Sequence, residues 1–352
     1  MHVKFVDYFV DPFSGVALRF FPIETLKENI VSGIYVNSES GESYALYEGV
    51  PIFLKHSIPK SFLKKFSSKI EEIKLQMPYI NAHSTEENSN WSFSLEWEAH
   101  KSQELDTTWG MTTKSRYEQF LLETNSSELE NQGKLILDAG CGNGMLTEYI
   151  ANRGSIVFGI DFSTSVFRAE KERQSEDACF IQGDLQYLPF KNELLEIVIS
   201  NGVIHHTPDT EKTFKEIAKK IKPQGKFYLW LYSRKGSLPW QTKRLFFDLM
   251  RIIFSRTPAF IQKMAVAFFS HTLYFIYLII GKELDKKTLF IDMYDSITPR
   301  WRHYHTPEEI SRWFFEAGFG PLTLTHWKNR FGFGSVASKT KIINTPGERY
   351  TG

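Results

Sequence analysis

KLILDAGCGNGM, residues 134–145, is a short apolar run that breaks into glycine at Gly140, Gly142 and Gly144. A run of that length bounded by turn residues is expected to be a strand buried on both faces. Glycine allows backbone torsions that other residues resist and leaves room for close approach. A strand entering a glycine turn that opens a helix places the turn at the carboxyl edge of an open α/β sheet, where ligands bind. The three glycines are therefore expected to pack under a bound molecule; a tight turn with no ligand is the alternative. Downstream, SIVFGID, ACFIQGD, LEIVISN and KFYLWLY repeat the pattern of apolar run and Gly, Asp or Asn ending, mostly separated by helix-like segments. The alternation predicts an α/β, doubly wound sheet with right-handed crossovers.

The spacing of the turn narrows the ligand. A dinucleotide fingerprint reads G-x-G-x-x-G and cradles a pyrophosphate, whereas this chain reads D-x-G-x-G-x-G with Asp138 ahead of the turn. Asp138 repels an anion and welcomes an ammonium or sulfonium, which disfavours a nicotinamide dehydrogenase. Asp161 ends the second run and can accept from ribose hydroxyls. Asp184 ends the third and can accept from an adenine amino group, with the Leu185 backbone N–H beside it. Three acids at successive strand ends suit a nucleoside with a cationic tail.

ILDAGCGNG, VFGIDFS, FIQGDLQYLPF and IVISNGVIHHTPD together resemble the successive motifs of class I S-adenosylmethionine-dependent methyltransferases. Within these they are most similar to the type 11 small-molecule group that includes the quinone-biosynthesis methyltransferases. The resemblance implies a Rossmann-like sheet of seven strands, the last antiparallel, and S-adenosyl-L-methionine as cofactor. It implies a cofactor site at Asp138, Gly140, Cys141, Gly142, Gly144, Asp161, Phe162, Asp184 and Leu185, with Asn201 and Gly202 lining the methionine part. Methyl transfer from a sulfonium is an in-line displacement that gains chiefly from alignment and dryness. A base adds to the rate when the acceptor is a hydroxyl or amine. His205 and His206 are the candidate bases, with pocket shaping as the competing role. Arg302, His303 and Tyr304, in PRWRHYHTPEE, are candidate substrate-binding residues for an anionic or sugar-like acceptor.

The chain has 352 residues, 42% hydrophobic and 15% aromatic, which is enough for a sizeable core and two or three domains. A net charge of +1 gives no whole-chain footprint for nucleic acid. Two cysteines, Cys141 and Cys179, form neither a disulfide scaffold nor a metal-ligand pair, so no metal is expected. The start, MHVKFVDYFVDPFSG, is too charged for a signal peptide, and a cytoplasmic enzyme is expected. Residues 1–60 are expected to form a small β-rich module. GESYALYEGVPIFL resembles the last hairpin of the zinc-ribbon domain of methyltransferase activators, here without cysteine. Residues 61–133 are expected to be a helical lead-in and linker in which Trp109, Arg116 and Tyr117 can close over the cofactor. A methyltransferase domain is expected over 134–340 and a tail over 341–352.

A helical insert of about residues 236–303 carries MAVAFFSHTLYFIYLIIG, residues 264–281, which has no charge. Its length meets the threshold for a membrane span, but later strands must return to the same sheet. A buried cap over the active-site edge is the preferred reading. Peripheral membrane contact through residues 240–281, with Lys243, Arg244, Arg251 and Arg256 at headgroups, is the alternative. Two helix starts are expected, at Thr207 with Pro208 and at Thr306 with Pro307 and Glu309. The expected activity is methyl transfer to a small-molecule or lipid-linked acceptor, at oxygen. RNA or protein methylation and a non-catalytic cofactor-binding scaffold are the rivals.

Overall fold

The computed structural model describes residues 1–77, 107–108, 111–236, 238–281, 286–325 and 332–340. The five apolar runs become β7 (Leu135–Ala139), β8 (Ile156–Asp161), β9 (Ala178–Gly183), β10 (Leu195–Asn201) and β11 (Ile221–Tyr232). They pair in parallel in the order β9-β8-β7-β10-β11. Two late strands, β12 (Thr323–Thr325) and β13 (Gly332–Ser338), extend the far edge, with β13 antiparallel to β11. Successive residues feed opposite faces, as a strand's twofold periodicity requires. Ile136, Val157 and Ile197 enter one core with Phe120 and Leu146, while Leu137, Phe158 and Val198 enter the other with Phe214 and Trp313.

The sheet has eleven strands: the seven running from β9 to β12, with β13 antiparallel, and four from the β-rich segment 1–60, which joins the same sheet at its edge. β1 (Leu18–Leu26), β2 (Asn29–Asn37), β3 (Ser43–Tyr47) and β4 (Val50–Phe53) form an antiparallel run. β4 then pairs in parallel with β9 through Ile52↔Gln182 and Phe53↔Gly183. Phe5, Phe9, Tyr35 and Phe53 share the core that holds Phe158 and Phe190. The join has a physical reason: β9 is otherwise an open edge with unpaired backbone groups. Between these halves lie the helices Lys60–Lys65, Ser67–Gln76 and Thr113–Glu123, and a two-residue ladder of β5 (Thr107–Thr108) and β6 (Met111–Thr112).

The capping box at Thr306 forms as expected, with Thr306 and Glu309 exchanging bonds and Pro307 in the first turn of the helix Pro307–Glu316. The other start differs. Asp209, not Thr207, caps the helix Thr210–Lys220, because Ile204–His206 forms a short 3-10 turn first and Thr207 Oγ1 donates back to Ile204 O.

The insert folds as three helices, Leu238–Phe254, Ala259–Ile279 and Lys286–Ile297. They share a small core of Ala265, Val266, Met293, Tyr294 and Ile297. The expectation of a buried cap is corrected here: Phe260, Phe268, Phe275 and Ile279 are 63%, 66%, 61% and 84% exposed. Only one face of the helix Ala259–Ile279 is needed to build that core.

Candidate functional site

Gly140, Gly142 and Gly144 follow β7 with φ of 90°, 54° and 75°, all in the left-handed region that a Cβ opposes. At two of them space adds a second reason. A Cβ on Gly140 would lie 2.3 Å from Val203 Cγ2, and one on Gly144 would lie 2.5 Å from Phe180 Cε1. What forbids side chains at these two positions is the protein's own packing. Gly144 opens the helix Met145–Ala151.

The turn is pinned to β8. The Gly140 and Cys141 N–H groups donate to Ile160 O, and Gly142 N–H donates to Asp161 Oδ2 at 2.9 Å. Asp161 Oδ1 accepts from both the backbone and the hydroxyl of Ser163. Three of its roughly four lone-pair sites are thus taken by the protein. Asp138 differs. It is buried, accepts from Thr147 Oγ1 at 2.7 Å, and lies in the field of Arg116 on the helix Thr113–Glu123. Burial still outweighs these partners and pushes its carboxyl up to about 6. An acid left so poorly compensated suits a ligand that brings positive charge, and on this observation the site fits the cofactor. Asp184 follows β9, accepts from Gln186 N–H, and is raised by burial.

Asp138, Asp161 and Asp184 therefore stand at the tips of three adjacent strands. Cys141 and Leu185 are buried beside them, and burial keeps the Cys141 thiol protonated. Phe162 contributes its carbonyl to Gln182 Nε2. Asn201 is exposed at the end of β10, and Gly202 turns with φ 80° against the Trp230 carbonyl. Tyr117 packs on Phe120 and Tyr149, and Trp109 lies outside the described residues.

Both histidines of the pair lie in the interior, and neither lines the cleft described below. His205 is wholly buried against Tyr232, with ring centroids 4.2 Å apart, and no hydrogen bond reaches its nitrogens among the described residues. Burial holds it neutral, far below its usual range. His206 Nδ1 lies 2.9 Å from Trp301 O, so it must donate there, and Nε2 faces Asp295 Oδ1 at 3.5 Å. Asp295 also accepts from Tyr232 OH at 2.8 Å, which ties the insert to the end of β11. Tyr232→Phe is expected to cost about 2 kcal/mol, since a bond to a charged acceptor is lost inside the protein. Thermal unfolding measures this, and an unchanged melting temperature would show that the tie carries no load.

Arg302, His303 and Tyr304 together line a cleft of about 640 Å³, with Thr210, Arg234, Arg244, Asp248, His305 and Trp313 also in its lining. Arg302 lies over the Tyr232 ring at 4.3 Å and donates to Ser296 O, while Tyr304 OH donates to Asp248. Those two are partly spent on fastening the insert. His305 belongs to the same PRWRHYHTPEE cluster, whose expected role was substrate recognition; sequence reasoning did not mark it as a base. It bridges to Ser233 just past β11, and Glu309 Oε2 lies 3.2 Å from its Nδ1. A carboxylate only accepts, so Nδ1 carries the proton and Nε2 holds a bare lone pair. Nε2 is buried and unpartnered among the described residues, as are Thr210 Oγ1, His303 Nε2 and Trp313 Nε1 in the same cleft. The signal was present in HTPEE, where His305 precedes the cap and Glu309 follows at i+4.

Known proteins match part of this arrangement. A family profile described as a methyltransferase domain matches residues 137–229. Those residues carry the methyltransferase-domain pattern. It runs from β7 to β11 and supports S-adenosylmethionine as the cofactor. A ubiquinone biosynthesis O-methyltransferase of Coxiella burnetii is 34% identical over 100 residues, covering 28% of this chain and 43% of that one. One from Haemophilus ducreyi is 30% identical over 105 residues, covering 28% and 44%. The chain thus spans less than half the length of these curated relatives. Among solved structures, a Synechocystis magnesium protoporphyrin IX methyltransferase with bound S-adenosylhomocysteine has a TM-score of 0.41 at 15% identity, covering 80% of this chain and 100% of that one. A Haloferax volcanii complex of the Trm112 activator with a putative methyltransferase has a TM-score of 0.42 at 15% identity, covering 73% and 100%.

Proposed function

We propose that this chain is an S-adenosylmethionine-dependent methyltransferase that acts on oxygen of a small, hydroxyl-bearing acceptor, free or lipid-linked. The observation that carries the reading is Asp138, buried at the tip of β7 beside the glycine turn and uncompensated enough for its carboxyl to sit at about 6. The cofactor, when bound, supplies a sulfonium methyl group. Asp138 attracts its positive charge, Asp161 fixes the glycine turn and has an acceptor site left, and Asp184 and the Leu185 N–H serve the base. The mixed donors and acceptors of the cleft favour a sugar or small acid over a bare hydrocarbon. In that cleft His305, oriented by Glu309, takes the acceptor's proton at Nε2.

The test is calorimetry with S-adenosylmethionine and S-adenosylhomocysteine, followed by transfer of labelled methyl to glycosides, hydroxy acids and phenols. No heat from folded protein with either compound would end the reading. Asp138→Asn is expected to weaken binding about thirtyfold, corresponding to about 2 kcal/mol for a lost bond to a charged group. The pH dependence has a definite sign. A cation binds the ionised carboxyl, so affinity should be level above pH 7 and fall toward tenfold per unit once pH drops below about 6. The asparagine variant should lose that slope.

A further inference from the structure

The outward face of the insert is apolar where a soluble helix is ordinarily polar. On Ala259–Ile279 the exposed side chains Phe260, Phe268 and Ile279 follow helical spacing along one stripe. Leu245, Leu249 and Ile252 do the same on Leu238–Phe254. The opposite face of the longer helix, with Ala265 and Val266, is already used by the insert's own core. From Met264 to Gly281 no charge interrupts the stripe.

Charge selects the occupant. Residues 238–281 hold five basic residues, Lys243, Arg244, Arg251, Arg256 and Lys263, against Asp248 alone. That is +4 in a chain whose total is +1, so the remaining residues sum to −3. Arg256 and Lys263 stand exposed on the same segment as the apolar stripe, and that net positive, apolar combination complements an anionic bilayer surface. The cleft adjoins this face, because Arg244 and Asp248 line it from the helix that carries Leu245 and Leu249. Crossing the bilayer is opposed by the insert's core and by Asp295, which holds the third helix to Tyr232.

We infer that the insert docks the protein flat on an anionic lipid surface through the stripes of Leu238–Phe254 and Ala259–Ile279. The inference does not depend on the methyl-transfer reading. Flotation of the full chain with phosphatidylcholine vesicles, with and without phosphatidylglycerol, tests it. Co-flotation is expected with the anionic vesicles, weakened by salt, and reduced about tenfold or more in a Phe268→Asp, Ile279→Asp variant. Thermal unfolding of the variant checks that it is folded. Absence of flotation, or flotation equal on neutral vesicles, overturns the inference. So does a dimer in sedimentation that the same variant dissolves without any vesicle binding, since the stripe would then be covered by a second copy.

Discussion

Replacing His305 with alanine is expected to lower turnover by about 10²–10⁴-fold, the range for loss of a general base, and to leave cofactor binding unchanged. The imidazole is held by Glu309 through Nδ1, and Nε2 is left bare at the cleft. Burial, the largest influence, keeps His305 below its usual range, with Glu309 pulling the other way. The base is therefore already neutral at physiological pH. The rate should rise with pH along an acid limb below about 6.5 and then level. Glu309→Gln removes the charge that raises His305, so its limb should move to lower pH while the plateau falls about tenfold. A merely structural histidine would not move that limb. If His305→Ala keeps both the limb and the plateau, the proton leaves elsewhere.

Gly140→Ala is expected to cost about 2–5 kcal/mol of stability. The left-handed torsion alone costs an L-residue about 1–2 kcal/mol, and forcing a methyl into packed surroundings adds about 1–3. The methyl would meet Val203 at 2.3 Å, and φ is already 90°. Gly133 is the control. Its φ is 71°, but nothing lies within 4 Å of an added Cβ, so Gly133→Ala should cost only the torsional part, about 1–2 kcal/mol. Urea unfolding of the two variants separates packing from backbone. Equal losses would mean that Val203 yields and the glycine is there for torsion alone.

The parallel strands were legible because each is a dense apolar run closed by turn residues, and the runs KLILDA to KFYLWLY appear as β7 to β11. The three acids were legible for the same reason, since strand ends fix their place. The join of β4 to β9 was not, because pairing across an edge leaves no trace in either strand's own pattern. The direction of the insert's apolar face was also hidden. Spacing reveals a stripe, and only tertiary packing decides whether it turns inward. His205 and His206 drew notice as a pair of titratable residues, yet position alone could not tell that the first packs its ring on Tyr232 and the second donates to the Trp301 carbonyl.

Ile52 finds its partner at Gln182. During synthesis at about 5–20 residues per second, the first four strands wait roughly ten seconds for the strand they are to join. Throughout that interval their aromatic faces have no native cover. A ribosome-bound nascent chain halted before Ala178 should therefore engage holdase chaperones, and release should follow once β9 clears the exit tunnel.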